Sequence, residues 1–133
     1  MFEYHGWMTI RASAGDEKPA ETATATALAE VELAQLRSGS GFVDLRTVNG
    51  SPQVHFGGLF NHGGGREGVV LSTFRRLGEV ARGSYGLLYV RDDEDSSGRD
   101  NEFRVLIMRR GQVIEAKDSY LSPCIPLVED EDS

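Results

Sequence analysis

The sequence predicts a single α+β domain, with two helices on one face of a mostly antiparallel sheet of about six strands. Short segments in which apolar and polar residues alternate recur along the chain, as in strands with one buried face. Two longer segments have the composition or the periodicity of helices. Glycine is frequent, with 16 among 133 residues, and the dipeptides Asn49-Gly50 and Arg110-Gly111 predict tight hairpin turns.

The first strand is predicted from the alternation in residues 2–13. Its apolar side carries Phe2, Tyr4, Met8, Ile10 and Ala12. Its other side carries His5, Trp7, Thr9 and Arg11. Since successive side chains of a strand point to opposite faces, we expect the first set to be buried under the helices.

The Ala-rich segment 20–37 predicts the first helix. Pro19 suits a first helical turn, and Gly39 and Gly41 are suited to end the helix. Its buried stripe is expected to consist of Ala27, Leu28, Val31 and Ala34. Leu33 and Leu36 lie off that stripe, so the helical period is imperfect.

The chain is next predicted to form a hairpin that turns at Asn49-Gly50 and then a second helix over residues 69–82. The apolar residues of that helix recur at spacings of four, three and four, which is a regular amphipathic face. They are Val70, Phe74, Leu77 and Ala81. We expect Phe74 and Leu77 to pack against Met8, Ile10, Phe56 and Val105.

Three further strands are predicted over residues 85–91, 103–109 and 112–119. The first six elements then have the ferredoxin-like βαββαβ order, followed by a C-terminal hairpin. The predicted domain covers residues 1–121, and residues 122–133 form an acidic C-terminal tail. With both helices on one side, the other face of the sheet is expected to be open to water or to a partner.

The composition excludes several classes of protein. A formal net charge of −7 argues against a general nucleic-acid binder, which needs a basic surface; it suits a basic protein partner or simply solubility. Because Cys124 is the only cysteine, an internal disulfide is excluded. No signal peptide and no span of about 20 apolar residues is evident, and we expect a cytoplasmic protein without membrane contact.

Motifs for catalysis or cofactors are weak. Gly63, Gly64, Gly65 and Gly68 satisfy a GxGxxG pattern before a helix, which leaves a nucleotide-binding or small-ligand-binding regulator as the alternative function. The polar residues of the preceding strand and the lack of a second nucleotide-binding half argue against it. The three histidines lack metal-ligand spacing, and the residues around Cys124 resemble no hydrolase site. We expect no enzyme activity, no cofactor and no metal.

Two features are predicted to bind a partner. Trp7 projects from the helix-free face, where alternation also places Tyr89, Arg91, Arg46, Leu59, Arg104 and Leu106; aromatic and Arg side chains are typical of interface centres. The alternative is that Trp7 only covers the sheet. The connection 92–102 is the second feature, expected to act as a mobile acidic rim that speeds association. Its acidic residues are Asp92, Asp93, Glu94, Asp95, Asp100 and Glu102.

Three segments carry a resemblance to a known family. FEYHGWMTIR near the N-terminus, GSYGLLYVRDDED (83–95) and NEFRVLIMRRG (101–111) resemble the immunity protein 7 family of bacterial polymorphic toxin systems, through about Leu121. The resemblance implies a small α+β protein that protects a cell by binding the domain of a cognate toxin. It implies no catalytic residues.

Overall fold

The computed structural model describes residues 1–131. The strands are β1 (Phe2–Thr9), β2 (Gly41–Val48), β3 (Ser51–Phe60), β4 (Tyr85–Asp92), β5 (Arg104–Arg109) and β6 (Gln112–Lys117). The helices are α1 (Pro19–Leu33), which a 3₁₀ turn (Ala34–Leu36) continues, α2 (Arg66–Val80) and the short α3 (Cys124–Leu127). None of the helices in this part of the chain has both the length and the apolar character that crossing a bilayer requires.

The six strands form one antiparallel sheet in the order β2-β3-β1-β4-β5-β6. The first four strands and two helices have the ferredoxin-like arrangement, and β5 and β6 extend the sheet as a hairpin. The predicted fold class is therefore confirmed. Both predicted hairpin turns are also present, since Asn49, Gly50, Arg110 and Gly111 all have the positive φ that such turns require.

The core lies between the sheet and the two long helices. The predicted stripe of α2 is buried, with Phe74, Leu77 and Ala81 fully inaccessible and Val70 nearly so. It packs in one cluster with Met8, Ile10 and Phe56 of the expected set. The regular spacing of α2 was sufficient to orient it because Val70, Phe74 and Leu77 recur on one face of the helix.

The orientation of α1 differs from the prediction. The residues of α1 and its 3₁₀ turn that reach the core are Ala25, Ala29, Leu33 and Leu36. Leu28 and Val31 of the predicted stripe are 47 % and 70 % exposed, and Ala27 and Ala34 are exposed too. Alanine recurs at every second position from 23 to 29, so apolar residues lie all around the helix and tertiary packing selects the buried face.

The predicted orientation of β5 was wrong: the alternation is shifted by one residue, so side chains expected on one face of the sheet lie on the other. Leu106 is fully buried on the helix side with Leu88, and Arg104 lies on that side too, bonded to Glu67 of α2. Val105, expected in that core, instead lies on the helix-free face. Its neighbours in the ladder are Tyr89 and Ala116. Four consecutive apolar residues, 105–108, give no alternation from which to assign the faces of the strand.

The chain after β6 folds back onto the sheet. Cys124 is fully buried, its N–H donates to the carbonyl of Asn101, and Asn101 exchanges two more hydrogen bonds with the backbone of Ile125. Part of the predicted tail is thus in contact with the domain, while residues 126–131 are exposed. Its last two residues, 132 and 133, lie outside the described part of the chain.

Candidate binding surface

The helix-free face of the sheet is the largest surface that the two long helices leave uncovered. A row of directly paired residues crosses it from edge to edge. The residues in this row are Asp44, His55, Trp7, Leu87, Ile107 and Ile114. The structure confirms that Trp7 projects from this face, as do Tyr89, Arg91, Arg46 and Leu59.

Trp7 is held in one orientation by its neighbours. Its ring meets that of Tyr85 edge to face, with centroids 6.2 Å apart and an interplanar angle of 85°, a favourable geometry for aromatic pairs. Trp7 nevertheless remains 36 % exposed. A large ring on a central strand, fixed before binding, loses little conformational entropy when a partner covers it.

Other apolar side chains on the same face, carried by the two strands beyond β1, are exposed. Phe42 on β2 is 55 % exposed and Leu59 on β3 is 57 % exposed. The ring of Phe42 lies over Gly57, where an added Cβ would come within 2.9 Å of that ring, so glycine permits this close approach. We call the surface formed by Trp7, Phe42, His55, Leu59 and Tyr85 the bare half of the open face.

The chain's own C-terminal segment covers another part of this face, around Arg91 and Phe103. Arg91 is almost completely buried, and its guanidinium lies 2.8 Å from Glu129 and 3.8 Å from Glu3. The ring of Phe103 meets that of Tyr89 edge to face at 6.1 Å. We call the surface under residues 118–129 the covered half. Arg91, which we expected on the surface open to a partner, therefore forms its ion pairs within the chain.

Asp118 fixes the start of this covering segment. Its carboxylate accepts hydrogen bonds from the N–H groups of Tyr120 and Leu121 and from the Ser122 hydroxyl. Burial raises the pKa of Asp118, but these hydrogen bonds outweigh burial and hold the pKa below its ordinary range. The Ser122 hydroxyl in turn accepts from the N–H of Phe103, which connects the turn to β5.

The acidic connection 92–102 bonds to the N-terminus and His62 as well as within itself. Asp93 and Glu94 lie 2.7 Å and 3.1 Å from the N-terminal ammonium. Hydrogen bonding with His62, and then with that ammonium, lowers the pKa of Glu94. The Ser97 hydroxyl and N–H lower the pKa of Asp95 in the same way. The charged forms of Glu94 and Asp95 are therefore favoured, and both groups are held near the end of β4.

The two predicted binding features lie apart. Asp92 pairs with Phe2 at the start of β1, five residues before Trp7, which is roughly 17 Å along the strand. Asp100 and Glu102 lie later in the same connection, with Glu102 beside Asp118 and Ser122, and Glu129 pairs with Arg91. Glu129, Phe42 and Tyr85 were not predicted as site residues. Their positions depend on strand pairing and on the docked C-terminal segment, which local sequence patterns do not describe.

The glycine loop lies on the other side of the sheet. A cleft of about 480 Å³ opens beside it, lined by Tyr4, Leu36, Phe60, Arg66 and Val69 among others. The Arg66 guanidinium lies 4.1 Å from the centre of the Phe60 ring. β3 and β4, the strands before and after α2, run parallel to each other but are separated by the antiparallel β1. The loop therefore lacks the adjacent parallel strands of a dinucleotide site. Binding of another small ligand stays a prediction.

The histidines are separate from one another in their contacts. His5 lies 2.8 Å from Glu3 and His62 lies 2.9 Å from Glu94, while His55 is exposed beside Trp7. Within residues 1–131, no three His, Cys, Asp or Glu side chains converge as they would around a metal ion. Burial raises the pKa of the Cys124 thiol, which disfavours the reactive thiolate.

Comparison with models of known protein families gives a match over most of the chain. A family model described as immunity protein 7 matches residues 1–130 of the chain. No curated protein and no solved structure matches it.

Proposed function

Because the chain belongs to the immunity protein 7 family, we propose that it binds and neutralises the toxin domain of a bacterial polymorphic toxin system. It acts as a stoichiometric inhibitor, without catalysis and without a cofactor. The observation that carries this proposal is the family match over residues 1–130. The structure adds a surface suited to a protein partner.

The bare half is the proposed centre of the interface. It combines exposed aromatic and aliphatic side chains with a few polar groups, the composition of interface centres. Trp7 is its anchor because the ring is oriented by Tyr85 before the partner arrives. Trp7, Phe42 and Leu59 are exposed on one face of the sheet, and exposed apolar surface of this kind supports a binding site.

The acidic corner is the proposed rim. Asp92, Asp93, Glu94 and Asp95 lie together at the end of β4, with Asp100 and Glu102 later in the same connection. A standard interface buries about 800 Å² on each partner, roughly 30 Å across, so one toxin domain can contact both Trp7 and this corner. The rim favours a toxin with a basic surface, because opposite potentials speed encounter and disfavour wrong partners.

Titration of the toxin activity tests this function. The toxin domain encoded beside this chain is expected to lose activity in proportion to added protein and to reach full inhibition at one equivalent. An enzyme that modifies the toxin would instead inactivate an excess of it over time. Toxin activity that is unchanged at several equivalents, together with no complex in calorimetry, would contradict the proposal.

A further inference from the structure

The strand β2 leaves one edge of the sheet unpaired. The Leu59 N–H donates to the Ser40 carbonyl at 3.3 Å. Ser40 and Leu59 therefore form a hydrogen-bonded pair, next along the ladder from the directly opposed Gly41 and Gly58. Hydrogen-bonded pairs alternate along an antiparallel ladder, so Phe42, Asp44, Arg46 and Val48 bond to β3. Val43, Leu45 and Thr47 therefore direct their N–H and C=O groups away from the sheet. An unpaired strand of this length is a template for another strand.

The sequence of β2 is complementary to itself. When a second copy is placed antiparallel, with Leu45 opposite Leu45, each Asp44 faces an Arg46 of the other copy. Phe42 then faces Val48, and both are more than half exposed in the single chain. Asp44 and Arg46 are exposed as well, with Arg46 Nε 2.9 Å from Asp44 Oδ1 within one chain. Opposite charges and apolar pairs at such positions stabilise a ladder.

Neighbouring registers are disfavoured by charge. Centring the pairing on Asp44 places two aspartates opposite each other, and centring it on Arg46 places two arginines opposite each other. Like charges directly opposite destabilise a strand pair. The register centred on Leu45 is therefore selected over those on either side of it.

The helix side of the same edge is compatible with a second copy. There the register centred on Leu45 places Val43 opposite Thr47, and both are β-branched residues that favour strands. Ala23 and Ala27 of α1 line a cleft together with Thr47, so this face of α1 flanks the edge. Val31, four residues after Ala27, is 70 % exposed, and a second copy would cover apolar surface that the single chain leaves in water.

We propose that two copies of this chain associate through β2, joining their six-stranded sheets edge to edge around a two-fold axis. The partner is a second copy because the strand is complementary to its own sequence in one register. The inference does not rest on the proposed toxin binding, although the pairing shares Phe42 of β2 with the bare half. Trp7 lies two strands in from this edge, so the pairing leaves it available.

Charge reversal tests the proposed pairing. Sedimentation velocity of the full chain over a concentration series is expected to show a species of twice the 14.6 kDa mass of one chain. Asp44→Arg and Arg46→Asp each place like charges opposite one another twice in the symmetric pair, and each is expected to weaken association about tenfold or more. The double variant restores opposite charges and is expected to dimerise again.

Mixing the two single variants gives the sharpest result. The arginine introduced in one variant then faces the aspartate introduced in the other, and the unchanged Arg46 faces the unchanged Asp44. A heterodimer is therefore expected from two chains that are monomeric alone. Arg75→Asp, an exposed change on α2, is the matched control and is expected to dimerise like the original chain. Circular dichroism checks that every variant is folded.

Three outcomes would overturn the proposal. The first is an original chain that stays monomeric at every concentration. The second is a dimer that both single variants leave unchanged, which would place the interface elsewhere. The third is hydrogen-exchange protection of Val43 and Leu45 only when the toxin is present, which would make the toxin the partner of this edge.

Discussion

The two halves of the open sheet face are built from the same strand alternation but differ in what covers them. In the covered half, Arg91 and Val105 are buried beneath the C-terminal segment, whose own Cys124 is also buried, and the charge of Arg91 is paired with Glu129. In the bare half, Trp7 and Phe42 remain exposed. Side chains of the same kinds therefore stabilise the fold in the covered half and are available to bind a partner in the bare half.

The largest expected effect is a difference in the free energy of unfolding between two Phe→Ala variants, one in each half. Phe103→Ala in the covered half is expected to lower the free energy of unfolding by about 3 kcal/mol or more, because a ring that is only 7 % exposed is removed. Phe42→Ala in the bare half is expected to cost about 1 kcal/mol at most, because much of that ring is already in water. Urea unfolding measures both. Equal losses of stability would break the distinction between the halves.

Trp7→Ala is expected to weaken toxin binding by about 2 kcal/mol or more, roughly 30-fold in Kd, mainly through faster dissociation. The reason is that Trp7 is the pre-oriented anchor of the bare half. Surface plasmon resonance measures the rates, and a thermal melt checks that the variant is folded. Leu28→Ala, a half-exposed apolar change on α1, is the control and should bind normally. A folded Trp7→Ala variant with unchanged rates would exclude the bare half as the interface.

Asp118→Ala is expected to lower the free energy needed to detach the C-terminal segment from the sheet by about 1–2 kcal/mol. The reason is that three hydrogen bonds lose their acceptor. The readout is faster hydrogen exchange at the Cys124 amide, which bonds to Asn101. Asp16→Ala, which removes an exposed aspartate, is the matched control and should leave that amide protected.

The same contact predicts a pH dependence. Since folding lowers the pKa of Asp118, its stabilising effect is present above the unfolded-state value of about 3.9. It is lost as the pH falls through the lower pKa of the folded state. Protection of the Cys124 amide that is insensitive to acid in the original chain would show that Asp118 does not hold the segment.

Neutralising the acidic rim is expected to have the smallest effect on affinity. Changing Asp93 and Asp100 to Asn and Glu94 to Gln should slow toxin association a few-fold at low salt and flatten its salt dependence, with little change in dissociation. Stopped-flow mixing at several salt concentrations measures this. The control removes the same charge from the helix side, at Asp16, Glu30 and Glu79. Equal slowing by both triple variants would assign the effect to net charge rather than to the rim.

Local patterns were reliable where one face of an element was chemically distinct. Trp7 was assigned to the open face because β1 alternates clearly, and the buried stripe of α2 followed from its spacing. The same reasoning failed for α1 and β5. Alanine surrounds much of α1 and four apolar residues run together in β5, so neither sequence distinguishes one face from the other.

The sequence by itself determined the order of the elements, the two hairpin turns, the burial of α2 and the family to which the chain belongs. Those features depend on residues close together in the chain or on recognisable segments. Only the tertiary structure decided which half of the open face is bare and that the acidic connection lies about 17 Å from Trp7. It also decided that β2 is an edge. The physical reason is that these properties arise from contacts between distant segments, such as Asn101 with Ile125, which no local periodicity encodes.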